Sequence, residues 1–111
     1  MNFTKGDTVI IPVPFTDNLG HKLHPAVVIS NDLVHKAGDV MIVQITSKLK
    51  SDKLHITLTD DDVSEKLPVK SYIRVHEIFV LKQSLIKGKV SGLKKHKYSE
   101  LAKRIHKIIE I

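Results

Sequence analysis

The chain has 111 residues, a formal net charge of +6 at pH 7, and neither cysteine nor tryptophan. This length predicts one domain over residues 1–111 with a single modest core. The absence of cysteine excludes disulfides and thiolate metal sites. The sequence also has no long apolar run and no signal-peptide pattern, which together with the absence of cysteine predicts a cytoplasmic protein without a membrane partner. Residues 82–111 hold nine Lys/Arg against two acidic residues, which indicates a polyanionic partner or a solvated basic surface.

The first half of the chain predicts three strands. Val9, Ile11 and Val13 alternate with other residues as in a half-buried strand, and Pro12 and Pro14 place that strand at a sheet edge. A polar loop is expected from residue 15 to residue 24. The apolar run 26–29 predicts a central strand buried on both faces, and residues 40–47 predict a third strand with Gln44 and Thr46 on one face.

The second half predicts three more strands and a helix. Residues 53–58 are expected to form a strand with His55 and Thr57 pointing outward, and the three aspartates at 60–62 a solvated loop. Residues 71–81 predict a strand broken near His76 and Glu77, and residues 87–93 a short strand. The apolar spacing from residue 98 to residue 109 predicts an amphipathic helix. These elements predict a mainly β (α+β) fold: a small antiparallel barrel capped by a C-terminal helix.

The start of the predicted helix is basic where the helix dipole is positive. Residues 94–97 read KKHK, and no acidic residue occupies the first turn. Each cation there costs a few tenths of a kcal/mol or so. We therefore expect a phosphate or an acidic partner at this end, the alternative being four solvated side chains.

Four segments occur in an order that resembles a known family. KGDTVIIPVPFTD, KLHPAVVIS, DVMIVQITS and KSYIRVHEIFVLKQSLI are together similar to the PemK/MazF family of toxins from type II toxin–antitoxin systems. The resemblance implies an SH3-like barrel that forms a homodimer and cleaves single-stranded RNA without a metal or other cofactor. It also implies a cognate antitoxin whose acidic C-terminal segment covers the RNA groove.

The resemblance also implies a set of site residues. His24 stands where the family motif has a catalytic arginine, and Thr46 matches the catalytic threonine of the ITS motif. An imidazole can carry protons near neutral pH but cannot supply a permanent bidentate charge. The expected RNA-binding residues are Lys22, Ser47, Arg74, Thr16 and Asp17.

Several of these residues have a plainer interpretation. Asp17 could anchor its own loop, and Arg74 could pair with Glu77 or a loop aspartate instead of phosphate. Gln44 could read a base edge or bond the adjacent loop. His21 and His24 have H-x-x-H spacing, but a zinc site is not expected without a third ligand nearby in the sequence. At the level of the whole protein, the alternative is a non-catalytic module that binds RNA or, like the related CcdB toxins, gyrase.

Overall fold

The computed structural model describes residues 2–14 and 21–111, with backbone only at residues 13, 14, 21 and 22. Its strands are β1 (Asp7–Pro14), β2 (His21–Val28), β3 (Asp39–Thr46), β4 (His55–Leu58), β5 (Ser71–Lys82) and β6 (Gly88–Gly92). Its helices are α1 (Asp32–His35) and α2 (Lys95–Ile109), with two single 3-10 turns at Asp60–Asp62 and Gln83–Leu85.

The six strands form one antiparallel sheet in the order β4-β5-β3-β2-β1-β6. The segment after β4 reaches across to the far edge of the sheet. There Val63 forms an isolated bridge with Leu93, and the Ser64 amide donates to the Gly92 carbonyl over 2.9 Å. The sheet is therefore curled into a half-barrel with one C-terminal helix, which confirms the predicted fold class.

The sheet is buried on both faces near its centre, because side chains of consecutive strand residues alternate between two cores. One core contains Val9, Ile11, Ala26, Val28, Val40 and Ile42, and is closed by Phe3 and Ile86. The other contains Val27, Val43, Ile45, Ile56, Leu58, Ile73 and Val75, and is covered by Leu101 of α2. The burial of both faces predicted for residues 26–29 holds for Ala26, Val27 and Val28, which are fully buried, whereas Ile29 is only partly buried and lies after the end of β2.

Three sequence predictions need correction. β2 begins at His21, because a ladder with β1 runs from Thr8↔Val27 to Pro14↔His21, so His21 and His24 belong to a strand and not to a loop. β1 is not an edge strand, since β6 pairs with it; that pairing stops at Ile10↔Gly88, which leaves the two prolines beyond the ladder. The short helix α1 was not predicted, although Asn31 caps it by accepting a hydrogen bond from the Leu33 amide over 3.0 Å.

Helix α2 matches its predicted position but buries less of itself than its pattern indicates. Leu101 is fully buried, and Ile105 packs against the same core. Ile108 and Ile109, in the last turn, are exposed. Apolar spacing alone therefore overestimates how much of the last turn contacts the core.

Candidate functional site

Polar side chains form a row across one end of the sheet, on neighbouring strands. Thr46 of β3 and Thr57 of β4 are both register partners of Tyr72, which lies on β5 between them. On the other side of β3, the ladder with β2 runs from Val28↔Ile42 to Ala26↔Gln44. The ladder ends at that pair, but alternation along each strand puts His24 on the face of Ala26 and Thr46 on the face of Gln44. The two predicted catalytic residues therefore share one face of adjacent strands.

His24 and Thr46 differ in what holds them. His24 pairs through its backbone with Ile11 of β1, and its side chain is partly exposed. The Thr46 hydroxyl accepts a hydrogen bond from the Lys48 amide over 3.1 Å, which turns the chain sharply after β3. Ser47 follows within that turn and is exposed. Thr46 is thus oriented locally, and its hydroxyl proton remains available to a ligand.

Gln44 marks an irregularity beside this row. The β3–β5 register shifts between Val43↔Ile78 and Ile45↔Ile73, so residues 74–77 of β5 face Gln44 alone. The side chain of Gln44 is buried, and its Oε1 has no hydrogen-bond partner within the described part of the chain. The predicted break in the fifth strand is this bulge, and it redirects the side chains of β5.

Arg74 is buried and held by two carboxylates. Its Nη1 and Nη2 donate to the two oxygens of Asp52 over 2.9 and 3.0 Å, and its Nε donates to Glu77 over 3.2 Å. The hydrogen bonds with Asp52 raise the pKa of Arg74, and the hydrogen bond from Arg74 lowers that of Asp52 well below its usual range. Arg74 therefore makes the ion pairs that the sequence analysis gave as the alternative to phosphate binding. A contact between Arg74 and RNA stays a prediction.

His55 lies next to this ion pair and was not among the predicted site residues. It is the register partner of Arg74, and its ring meets Tyr72 edge-on, with 5.9 Å between the centroids. Its Nδ1 is buried without a hydrogen bond in the described ranges, 3.9 Å from Oδ1 of Asp52. The outward alternation predicted for His55 and Thr57 was the one sequence signal pointing to it; the contact with Asp52 had none.

A carboxylate of the chain itself partly offsets the basic start of α2. Asp62 accepts hydrogen bonds from the Thr59 amide (2.8 Å), the Thr59 hydroxyl (3.0 Å) and His96 (3.0 Å), and Lys97 lies 3.5 Å away. Asp62 is buried, so assigning it to solvent was wrong; Asp60 and Asp61 are exposed as expected. A residue of the chain itself therefore supplies one negative charge at this end of the helix, and an external phosphate or acidic partner there stays a prediction.

The remaining predicted residues are less well defined. Thr16 and Asp17 lie outside the described residues. Lys22 lies on β2 as the register partner of Val13, but its side chain is also outside what the structure describes. Among the described side chains no group of three or more His, Asp or Glu could hold a metal ion.

An apolar cavity of about 370 Å³ lies beside the site-bearing sheet. Ile11 and Pro12 of β1, residues 79–82 of β5, and Leu85 line it. Phe79 and Val80 are exposed at its rim. No described helix is long and apolar enough to cross a membrane.

Comparisons with known proteins agree with this architecture. The family model for the PemK-like, MazF-like toxin of type II toxin–antitoxin systems matches residues 4–109. No curated protein matches the chain significantly.

Solved structures of such toxins share the fold. A MazE–MazF crystal structure from Deinococcus radiodurans aligns with a TM-score of 0.76 and 17% identity, over 95% of this chain and 94% of that chain. A mycobacterial endoribonuclease in complex with its cognate antitoxin aligns at 0.75 with 14% identity, over 96% and 93% of the two chains. The Mycobacterium tuberculosis toxin MazF-mt6 aligns at 0.71 with 14% identity, over 91% and 93%. With its half-barrel and a family match over nearly its whole length, the chain belongs to the PemK-like, MazF-like toxins of type II toxin–antitoxin systems.

Proposed function

We propose that this chain is the toxin of a type II toxin–antitoxin pair and a metal-independent endoribonuclease that cleaves single-stranded RNA, including mRNA. One observation supports this most: alternation along the paired strands β2 and β3 gives His24 and Thr46 the same face of the sheet. An imidazole, which can accept a proton, and a hydroxyl, which can donate a hydrogen bond, are then available on that face. The cytoplasm, where mRNA is translated, is the proposed location.

The proposed reaction is attack of a ribose 2′-hydroxyl on the adjacent phosphate. The 2′-oxygen forms a bond to phosphorus, the bond from phosphorus to the 5′-oxygen breaks, and the products end in a 2′,3′-cyclic phosphate and a 5′-hydroxyl. His24 takes the proton of the 2′-hydroxyl, and the leaving 5′-oxygen takes up a proton from water or from a second acid to become the 5′-hydroxyl. Thr46 keeps its hydroxyl proton and uses it to donate a hydrogen bond to a non-bridging oxygen of the phosphate. The Lys48 amide already bonds the Thr46 oxygen, which holds that proton in one direction.

The RNA backbone is proposed to contact Lys22, Ser47 and Arg74, with Thr16 and Asp17 from the neighbouring loop. Arg74 keeps two of its five N–H groups beyond the three it gives to Asp52 and Glu77. Its role is then to set the local charge as much as to bind phosphate directly. The net positive charge of residues 82–111 favours both RNA and the acidic segment of a cognate antitoxin.

We also propose that the chain forms a homodimer through the outer edge of β5. In the described ranges, β4 pairs with β5 only from Ser71 to Arg74, so residues 76–82 have β3 on one side and no strand on the other. Phe79 and Val80 project from opposite faces of this edge and are 40% and 61% exposed. An apolar, unpaired edge is a template for another strand, and a second copy can pair with it antiparallel around a two-fold axis.

Sedimentation velocity tests the dimer. Val80→Lys should give monomers with an unchanged far-UV circular dichroism spectrum, because the charge is buried on pairing. Leu33→Lys, at an 83% exposed position on α1, is the matched control and should sediment like the wild type. If the Val80→Lys protein remains dimeric, the dimer interface does not lie at the outer edge of β5.

The nuclease proposal is tested with purified protein and single-stranded RNA in EDTA. His24→Ala and Thr46→Ala should each lower the cleavage rate by about 10²-fold or more, as expected for removing a proton carrier or a transition-state donor. If RNA of several sequences stays intact with the wild type, the chain is the non-catalytic binding module. If growth arrest on expression survives both substitutions, the chemistry lies elsewhere.

A further inference from the structure

We propose that His55 is the general acid of the site, donating its proton to the 5′-oxygen that leaves during cleavage. This inference rests on the proposed nuclease function. That function requires two proton transfers, one from the 2′-oxygen and one to the 5′-oxygen. Because a threonine hydroxyl does not serve as a general acid at neutral pH, His24 and Thr46 account for only the first transfer and for charge stabilisation.

The position of His55 suits the second transfer. Ile56 and Leu58 point into the core beneath α2, so alternation turns His55 and Thr57 to the face that carries Tyr72. Tyr72 is in turn the register partner of Thr46. With strands roughly 4.8 Å apart, β4 lies about 10 Å from β3, so a phosphate bound at Thr46 on the side of Tyr72 comes within reach of the imidazole.

The two ends of the His55 ring are in different surroundings. Nδ1 is buried and has no hydrogen bond among the described residues, yet 24% of the side chain is exposed. The edge-on contact with Tyr72 limits the tilt of the ring. The exposed part of the ring must therefore lie away from Nδ1, where Nε2 can meet a ligand.

A fixed carboxylate faces the buried end. Oδ1 of Asp52 lies 3.9 Å from Nδ1, which is longer than a hydrogen bond but close enough for the carboxylate to attract an N–H at that position. The position of the Asp52 carboxylate is fixed, because Arg74 donates hydrogen bonds to both of its oxygens and the Leu54 amide donates to Oδ1 over 3.0 Å. The same contacts keep Asp52 ionised by lowering its pKa.

This arrangement is that of an imidazole with a carboxylate orienter. A carboxylate at Nδ1 fixes the orientation of the ring, so that Nε2 is the atom that can give a proton to the substrate. The charged groups facing His55 are Asp52 from the preceding loop and, through it, Arg74 and Glu77 of β5. Asp52 is then a positioning residue, and Arg74 supports it through the buried ion pair in addition to any contact that Arg74 makes with the RNA backbone.

The test compares two substrates that differ only in the leaving atom. One is an ordinary RNA oligonucleotide, and the other carries a bridging 5′-sulfur at the cleaved position, a leaving group that needs no proton. We expect His55→Gln to cleave the ordinary RNA about 10²-fold or more slowly and the sulfur substrate within about tenfold of the wild type. Asp52→Asn should show the same selective loss in weaker form. His106→Gln, an exposed imidazole on α2, is the matched control.

Each other outcome is decisive. Equal losses on both substrates would mean that His55 only supports the structure, and no loss on either would remove it from the reaction; both overturn the proposal while the nuclease function stands. Binding of an RNA with a 2′-deoxy sugar at the cleaved position checks that the variant folds, and should be unchanged. A wild type that cleaves neither substrate refutes the nuclease function itself.

Discussion

Replacing Asp62 tests how the chain tolerates cations at the start of α2. Burial by itself raises the pKa of Asp62, but the Thr59 amide, His96, the Thr59 hydroxyl and Lys97 outweigh it and lower the pKa from 3.8 to about 2. A group whose pKa is lowered on folding stabilises the protein above its unfolded pKa and loses that effect as pH falls. The difference between the two values corresponds to about 2.5 kcal/mol.

We therefore expect Asp62→Asn to lower the free energy of unfolding by about 2.5 kcal/mol at pH 6, measured by urea denaturation with circular dichroism. At pH 2 the wild-type carboxyl is about half protonated, and the difference should shrink below about 1 kcal/mol. Asp61→Asn, at the exposed neighbouring position, should change stability by less than about 0.5 kcal/mol at both pH values. Equal stability of wild type and Asp62→Asn at pH 6 would refute the reasoning, as would a difference that does not depend on pH.

Two further substitutions test the packing and the backbone by the same denaturation assay. Leu101→Ala should cost about 2–5 kcal/mol because Leu101 is fully buried against the sheet, whereas Ile109→Ala, at a 70% exposed position, should cost less than about 0.5 kcal/mol. If the two cost the same, α2 does not cover the core as described. Gly6→Ala should cost about 1–2 kcal/mol, since Gly6 has a φ of +93° and its nearest contacts leave room for a methyl group, so the cost is backbone strain alone. Gly88→Ala, with open space around it and no positive φ, should be nearly neutral, and a similar loss there would exclude strain as the cause.

The strands and the long helix could be predicted because they depend on local patterns of apolar and polar residues. Period-two alternation and apolar runs gave the strands, and the spacing from residue 98 to residue 109 gave α2. Turn residues did not reveal that β2 starts at His21, because that boundary is set by the ladder with β1 and not by the polar residues themselves. A polar strand end and a loop look alike in sequence.

The candidate site was only half predictable for a similar reason. His24 and Thr46 follow from motifs, and their register agrees with a shared face. The partners that define the electrostatics lie far apart along the chain: Asp52 and Arg74 are 22 residues apart, and Asp62 and His96 are 34 apart. The local spacing of Thr59 and Asp62 is that of a capping box, which separates Asp62 from its two exposed neighbours, but its contact with His96 of α2 comes from tertiary structure.

The central claim is tested most directly by mass spectrometry of the ends left on a defined single-stranded RNA after incubation with the wild type in EDTA. We predict a 2′,3′-cyclic phosphate on one fragment and a 5′-hydroxyl on the other, with both products lost in Thr46→Ala. Intact RNA, or fragments that carry a 5′-phosphate, would contradict the account.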